Sequence, residues 1–347
     1  MASHNLTDET CIEALDALER HGGSFIKAAR SIGIPRQTLQ HRVETARLRE
    51  LSPGMSKVEM PTFVLEGDEE EDIGDILDRK SKIFERKRKA QADRDWFKIR
   101  INETKPYGII AFGDAHLDDD GANIPLLRRH LAIAAKPGVY GINIGDSANN
   151  WVGRLERLYA HQETTRHIGR RLIEWFMWES GVSWLCWVMG NHDVWNEGAD
   201  FHARLAQNKI PVIDWKAQFE LVHPSGRTAR IDASHGRKGS SQWNNLHATL
   251  KAATLGELAD AYLTGHTHNY GCEDLEIAER KHSSWLVQLR GYKFMDSYAL
   301  YNNFAEHQRG SSVFLIIDPS ENAIRPVVQC FEDVELGFRV LEMMRAS

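Results

Sequence analysis

Cysteine is scarce in this chain, and its copies stand far apart. Cys11, Cys186, Cys272 and Cys330 form no CxxC pair, so neither a disulfide framework nor a cysteine-ligated zinc site is expected. Long apolar runs are also lacking, since no segment approaches the ~18 apolar residues needed to cross a bilayer. The N-terminus has neither the basic nor the apolar part of a secretory signal. We therefore expect a cytoplasmic protein with no membrane partner.

An excess of positive charge is lacking as well. The net charge of −6 argues against a protein that coats nucleic acid through bulk charge, although it does not exclude a local basic surface. Histidine and tryptophan, by contrast, are abundant, with 16 and 10 copies in 347 residues. At roughly 150 residues per domain, this length predicts about two domains.

Composition divides the chain into three regions. Residues 1–50 are helix-rich, residues 51–105 form a charged, partly helical linker, and residues 106–347 alternate apolar runs with helical stretches. The last pattern is typical of a layered α/β domain. The linker holds an acidic block at 66–75 and a basic run at 79–89 with seven bases and one acid. That run is either a nucleic-acid contact or a solvated helix, and the adjacent acidic block favours the helix.

Residues 1–50 predict three short helices with an asymmetric charge distribution. Up to Arg20 there are five acids and one base, whereas Lys27 to Arg49 contain six bases and one acid. The basic part offers a face suited to phosphates. The string AARSIGIPRQTLQHRVE, with Gly33 in its turn, resembles the Fis-like helix-turn-helix family of DNA-binding domains.

This resemblance implies DNA contacts from the start of the third helix, which would enter the major groove. The candidate contact residues are Arg36, Gln37, Thr38, Gln40 and His41. A helical module that packs against other elements or forms a homo-oligomer is the alternative interpretation.

Polar motifs follow strand-like apolar runs at five places in the third region. They are FGDAH (112–116), IGD (144–146), GNHD (190–193), SHG (234–236) and GHTH (265–268). Residues just past the carboxyl ends of strands gather at one edge of a layered α/β fold. We therefore expect the five loops to meet at one site.

The motifs supply a mixed set of carboxylate, amide and imidazole ligands without any thiolate. The set is Asp114, His116, Asp146, Asn191, His235, His266 and His268. These are too many ligands for one tetrahedral ion, and two divalent cations about 3.5–4 Å apart would use them all. We expect manganese, although iron, zinc or magnesium also suits mixed nitrogen and oxygen donors.

The ordered set resembles the calcineurin-like metallophosphoesterases over residues 106–330. The resemblance implies a four-layer αββα sandwich, in which two β-sheets pack face to face between helices. It also implies a first metal on Asp114, His116 and His268, a second on Asn191, His235 and His266, and Asp146 as the bridge. A metal-bridging hydroxide would attack phosphorus in line, while His192, oriented by Asp193, would protonate the leaving oxygen.

The chain departs from many relatives directly after the second motif. It reads Ser147-Ala148-Asn149-Asn150 where they carry an acid, which several phosphoprotein phosphatases follow with an arginine. It also has Asp193 where those protein phosphatases commonly have glutamate. Both differences weaken the interpretation as a protein phosphatase.

Three functions remain open from the sequence. The first is a phosphodiesterase or nuclease that the helical module brings to DNA, a fusion that also suits phages and mobile elements. The second is a small-molecule phosphatase or cyclic-nucleotide phosphodiesterase with an oligomerising module. The third is a non-enzymatic DNA-binding regulator, against which the intact motif set with His192 argues. Trp151, Trp195 and Trp243 near the motifs would either stack on bases or pack the loops.

Overall fold

The computed structural model describes residues 6–54, 71–92, 95–294, 310–321 and 326–346. The chain divides into two compact units, Met1–Ile76 and Leu77–Ser347. Within the described ranges, no helix combines the length and apolar character that crossing a bilayer requires.

The first unit contains the three predicted helices around a small core. They are α1 (Asp8–Arg20), α2 (Phe25–Ser31) and α3 (Arg36–Leu48). Gly33 has φ of +68° between α2 and α3, a conformation that glycine adopts without the strain of a Cβ. Ala28 and Leu39 are fully buried between the helices. Small residues on α2 therefore let the helices approach closely, as the helix-turn-helix resemblance implies.

The charged segment includes helix α4 (Ile73–Ala92). The other described helices are α5 (Ile124–Ala134), α6 (Arg166–Glu174), α7 (Asn191–Val194), α8 (Gly198–Ala206), α9 (His247–Leu255) and α10 (Val334–Ala346). Short 3-10 segments span Gly153–His161 and Ala278–Arg280, and a π-helical turn spans Trp175–Glu179.

Two six-stranded sheets are built from the described part of the second unit. The strands are β1 (Phe97–Arg100), β2 (Tyr107–Phe112), β3 (Val139–Asn143), β4 (Trp184–Met189), β5 (Val212–Asp214), β6 (Lys216–Val222), β7 (Thr228–Ser234), β8 (Ala261–Thr264), β9 (Gly271–Ile277), β10 (His282–Gln288), β11 (Ser312–Ile317) and β12 (Val328–Phe331). One sheet has the order β1-β6-β7-β8-β10-β9 and the other β12-β11-β2-β3-β4-β5.

The sheets pack face to face, and helices cover their outer faces. Strand β2 is buried on both sides, and its residues alternate between two cores. Ile109 faces the core between the sheets, whereas Ile110 faces Leu127 of α5 and Leu341 of α10. On the other sheet, Tyr262 and Leu286 pack in a cluster with Ala253 of α9. This arrangement is the predicted four-layer αββα sandwich.

Strand β1 lies in the segment expected to be a linker. Phe97–Arg100 pair in parallel with β6, and Phe97 and Ile99 alternate as half-buried residues with exposed ones. Ile101, which follows, belongs to the core between the sheets. The folded α/β unit therefore includes residues before 106. The sequence did not predict this strand, because a short half-buried edge strand needs few apolar side chains.

The four cysteines are free thiols. Cys272 of β9 and Cys330 of β12 nevertheless bring their sulfur atoms to 3.8 Å. The two strands belong to different sheets, so the tertiary fold brings together cysteines that are far apart in the sequence.

Buried His130 of α5 makes the unfolding free energy depend on pH. Its Nδ1 hydrogen bonds with the Tyr292 hydroxyl at 2.8 Å. Burial, and then the charge of Arg129, lower the pKa of His130 to about 4 against the opposing effect of Asp333. Since the unfolded pKa is about 6.5, the folded state binds fewer protons between these values. The stabilisation is present above about pH 6.5 and is lost as the pH falls towards 4.

His130→Gln is expected to remove this pH dependence while leaving a group that can hydrogen bond with Tyr292. Between about pH 7.5 and about pH 4.5, the wild type should lose roughly 2–3 kcal/mol more unfolding free energy than the variant. Urea unfolding of both proteins at both pH values measures the difference. Equal losses in the two proteins would contradict the prediction.

Candidate metal centre

The five predicted motifs lie at the carboxyl ends of strands on one edge of each sheet. Strands β2, β3 and β4 run parallel in one sheet, and β7 and β8 run parallel in the other. The loop after each strand carries one motif. Because the two sheets are stacked, these loops can converge on one place.

Five of the predicted ligands have left-handed backbone conformations. Their φ values are +47° for Asp114, +40° for His116, +53° for Asp146, +74° for His266 and +53° for His268. Such conformations are strained for residues other than glycine and cluster at functional sites.

Two glycines leave room for the carboxylates. A Cβ at Gly190 would lie 2.2 Å from Asp146 Oδ1, and one at Gly265 would lie 2.5 Å from Asp114 Oδ2. Side chains at these two positions would therefore displace the candidate ligands.

A first group of donors consists of Asp114, His116 and His268, whose ligand atoms lie within 4.8 Å of one another. His268 Nε2 is 3.6 Å from Asp114 Oδ1. His116 is fixed through Nδ1, which is 2.8 Å from Asn149 Oδ1. Its buried Nε2 has no hydrogen-bond partner among the described residues. A buried imidazole nitrogen left open in this way fits a metal ligand.

A second group consists of Asp146, His235 and His266. His235 Nδ1 is 2.9 Å from the Ile144 carbonyl oxygen, to which it can donate a hydrogen bond. Its Nε2 then faces Asn191 Oδ1 at 3.1 Å and His266 Nδ1 at 3.2 Å. A backbone carbonyl that fixes one ring nitrogen while the other faces acceptors is typical of a histidine ligand.

Asp146 lies between the two groups. Its Oδ2 is 3.1 Å from His235 Nε2, and its carboxylate also falls within a 4.8 Å cluster with His116 and His192. The His192 backbone amide donates to Asp146 Oδ1 at 2.9 Å. This buried carboxylate is therefore placed to contact ligands of both groups.

The site contains charges that burial alone would disfavour. Burial raises the pKa of Asp114 to about 8, against the opposing charge of His235. Burial also acts to raise the pKa of Asp146, but His235 outweighs it and lowers that pKa below its usual range. Burial lowers the pKa values of His116 and His266, so both present the neutral imidazole that binds metals.

His192 lies beside the donors, but Asp193 is placed differently from the expected orienting residue. His192 Nδ1 contacts the Asn149 carbonyl oxygen, and its Nε2 is 3.8 Å from Asp146 Oδ2. The Asp193 carboxylate instead accepts backbone amide hydrogen bonds from Asp146, Ser147 and Gly190 at 2.6, 3.0 and 2.9 Å. Asp193 thus fixes the loops that carry Asp146 and Asn191, and Asn149 orients the His192 ring.

Asn149 belongs to the candidate site but was not among the residues predicted from the sequence. It is fully buried and contacts both His116 and His192. Its side-chain amide donates to Asp119 Oδ2 at 2.8 Å, and Lys293 Nζ lies 3.0 Å from that same oxygen. The sequence did carry a signal for Asn149. It stands three residues after Asp146, in the segment where the calcineurin-like pattern has an acid and this chain has none.

Two of the loop tryptophans surround His192. The Trp195 ring centre lies 4.3 Å and the Trp151 ring centre 5.2 Å from that of His192. Trp151 Nε1 also donates to Gln162 Oε1 at 2.9 Å, so it packs the loops. Trp243 is 94% exposed, which leaves its indole available to a ligand.

The predicted DNA-contact residues lie along the start of α3 in the first unit. Arg36, Gln37, Gln40 and His41 are exposed, and Thr38 is half-buried. Leu39 points into the core between them. The four exposed side chains therefore share the surface of the helix that the resemblance assigns to DNA.

Comparison with protein families confirms the N-terminal resemblance. Residues 15–44 match the family model described as "Bacterial regulatory protein, Fis family". A search of curated protein sequences gives no match.

Several solved structures are similar to this chain. They include the calcineurin-like phosphoesterase YfkN from Bacillus subtilis, at 11% identity and a TM-score of 0.38 over 70% of this chain and 97% of that one. A metallophosphoesterase from Sphaerobacter thermophilus has 13% identity and a TM-score of 0.31, with 68% and 93% covered. A protein serine/threonine phosphatase from Saccharomyces cerevisiae has 10% identity and a TM-score of 0.32, with 69% and 84% covered.

Proposed function

We propose that this protein is a phosphoester hydrolase that uses two divalent metal ions. The observation that carries the proposal is the presence of two neighbouring donor groups, Asp114/His116/His268 and Asp146/His235/His266. Asp146 connects them, because it also clusters with His116 of the first group. Asn191, 3.1 Å from His235, extends the second group. The donors are oxygen and imidazole nitrogen without thiolate, which suits manganese, iron, zinc or magnesium.

In the proposed centre, Asp114, His116 and His268 hold one ion, and Asn191, His235 and His266 hold the other, with Asp146 shared between them. When bound, the ions neutralise phosphate charge and activate water. Hydrogen bonds with other groups of the protein fix the positions of these ligands. Asn149 orients His116, the Ile144 carbonyl orients His235, and the His266 amide donates to both oxygens of Asp114 at 3.0 and 2.9 Å.

His192 is the proposed general acid. The Asn149 carbonyl oxygen accepts from Nδ1, so Nε2 is the nitrogen left to donate a proton to the leaving oxygen. Trp195 and Trp151 pack around the ring. They limit its rotation and keep the Nε2 atom facing the metal ligands.

The proposed substrate is a phosphodiester, in particular in DNA. The support is the Fis-type match at residues 15–44 together with the exposed polar start of α3. A helix-turn-helix module would raise the local concentration of DNA phosphates near the hydrolytic unit. A phosphatase for small molecules remains the competing outcome.

A substrate panel tests the proposed activity. Purified protein with manganese is assayed on p-nitrophenyl phosphate, bis-p-nitrophenyl phosphate, cyclic nucleotides, and single- and double-stranded DNA. We expect turnover of bis-p-nitrophenyl phosphate and DNA in preference to the monoester. Faster turnover of the monoester or of cyclic nucleotides would support the small-molecule alternative, and inactivity on every ester would contradict the hydrolase.

The double variant Arg36→Ala/Gln37→Ala is expected to weaken binding to a preferred duplex. Each lost base contact costs about 1–3 kcal/mol of discrimination, so affinity should fall roughly 10- to 100-fold or more. Fluorescence anisotropy with labelled duplexes at several salt concentrations measures the change. Arg20→Ala removes an exposed base from α1 and serves as the matched control, with nearly unchanged affinity expected. Unchanged binding in the double variant would contradict DNA contacts from the start of α3 and would favour the basic run at 79–89 as the DNA-binding segment.

A further inference from the structure

Helix α4 exposes large apolar side chains along one face. Ile73, Leu77 and Phe84 are 67%, 58% and 63% exposed in the part of the chain that the structure describes. Ile83 adds a fourth apolar side chain, and Ile76 is half-buried. These positions fall on one face at 100° per residue. A stripe of this kind marks an interaction surface, because short helices gain most of their stability from packing such a face.

The charges of α4 and its preceding turn are separated along the helix axis. Residues 71–78 contain four acids and no base, whereas residues 79–88 contain six bases and one acid. Two copies in antiparallel orientation would place each acidic half beside a basic half. A parallel pair would place like charges together along its whole length.

We propose that α4 pairs in antiparallel orientation with α4 of a second copy of this chain. The pair is isologous, so it closes as a dimer about a two-fold axis near the middle of the helix. The apolar stripes of the two copies cover each other, and Lys80 within the stripe extends its aliphatic stem over them with its charge in water. This inference is independent of the proposed hydrolytic function.

An anionic lipid surface fits the same helix less well. Such a surface would attract the basic half at 79–88 but repel the acidic half at 71–78. A second copy satisfies both halves at once, and we therefore assign the face to self-association.

The apolar part of the proposal is tested with Leu77→Gln/Phe84→Gln in the full chain. Both positions are exposed, and glutamine keeps a good helix propensity without adding charge. Sedimentation velocity over a range of protein concentrations should show a dimer in the wild type and a dissociation constant raised roughly 100-fold in the variant. Leu255→Gln at the end of α9, an apolar position that is even more exposed at 73%, should leave the dimer unchanged.

The orientation is tested with charge reversals. Asp72 and Lys87 border the apolar stripe at the acidic and the basic end of the helix, and antiparallel pairing places Asp72 of one copy beside Lys87 of the other. Asp72→Lys and Lys87→Glu should each weaken the dimer about fivefold or more at low salt. The combined variant Asp72→Lys/Lys87→Glu should restore it, because the antiparallel pairing of opposite charges returns.

Three results would overturn the proposal. The first is a wild-type protein that is monomeric at every concentration. The second is a dimer that survives Leu77→Gln/Phe84→Gln. The third is a monomer that binds vesicles of anionic phospholipid through α4 and loses this binding in the same double variant.

Discussion

Asp146→Asn is expected to abolish phosphoester turnover and to remove most of the bound metal. The Asp146 carboxylate belongs to two donor clusters and lies 3.1 Å from His235 Nε2. Asparagine has nearly the same shape but lacks the negative charge that both proposed ions share. We expect a loss of at least about 10²–10³-fold in kcat, the scale of removing one preorganised stabilising group. Elemental analysis should fall from close to two metal ions per chain to well below one.

A matched control separates this effect from damage to the fold. Asp318 is likewise buried, but it follows β11 at the end of the sheet opposite the donors, since Ile317 pairs with Tyr107 at the start of β2. Asp318→Asn should keep metal content and activity. Thermal unfolding of both variants shows whether the fold survives. An Asp146→Asn protein with full metal content and full activity would refute the two-metal proposal.

The fold and the donor set were accessible to sequence reasoning for the same physical reason. A buried parallel strand is an almost unbroken apolar run, as in β2 and β4, and the chain must turn sharply where that run ends. The polar residues after such runs stand out against them. Asp114 and His235 could thus be assigned to one edge before their contacts were known.

Other features depend on contacts that spacing does not encode. Strand β1 alternates Phe97 and Ile99 with charged residues, so its four residues resemble the linker around them. Asp193 accepts amide hydrogen bonds from residues 47 and 46 positions earlier in the chain. This contact arises only because β3 and β4 lie side by side in one sheet. The exposed stripe on α4 is the opposite case. Its apolar spacing predicts burial, but its side chains are exposed in the described part of the structure.

The contacts of Asn149 give a physical reason for the absence of an acid after the second motif. An acid at this position would add a third carboxylate beside Asp118 and Asp119, whose oxygens already contact the Asn149 amides. Asparagine instead offers both a donor and an acceptor. Its Oδ1 atom contacts His116, and its amide group contacts Asp119. Asparagine therefore holds the His116 ring in place without a further buried negative charge.

His192→Ala is expected to retain the metal but lose turnover. The loss should be larger for esters whose leaving groups are strong bases. With Nδ1 held by the Asn149 carbonyl, only Nε2 can give a proton to the departing oxygen. Alkyl and nucleoside esters, which leave as strong bases, should slow by about 10²–10⁴-fold, the usual worth of a positioned acid. The p-nitrophenyl esters should slow much less, because p-nitrophenolate leaves without a proton. Steady-state kcat over a series of esters with increasing leaving-group pKa measures the difference.

The same variant also decides between two roles for His192, because its ring lies in a cluster with His116 and Asp146 that could itself hold an ion. If His192 is the acid, elemental analysis of His192→Ala should match the wild type, and His192→Gln should be as slow on alkyl esters. Glutamine can hydrogen bond to the leaving oxygen but has no acidic proton to transfer. Metal loss in both variants, with all esters slowed equally, would show that His192 is a metal ligand. Another group would then protonate the leaving oxygen.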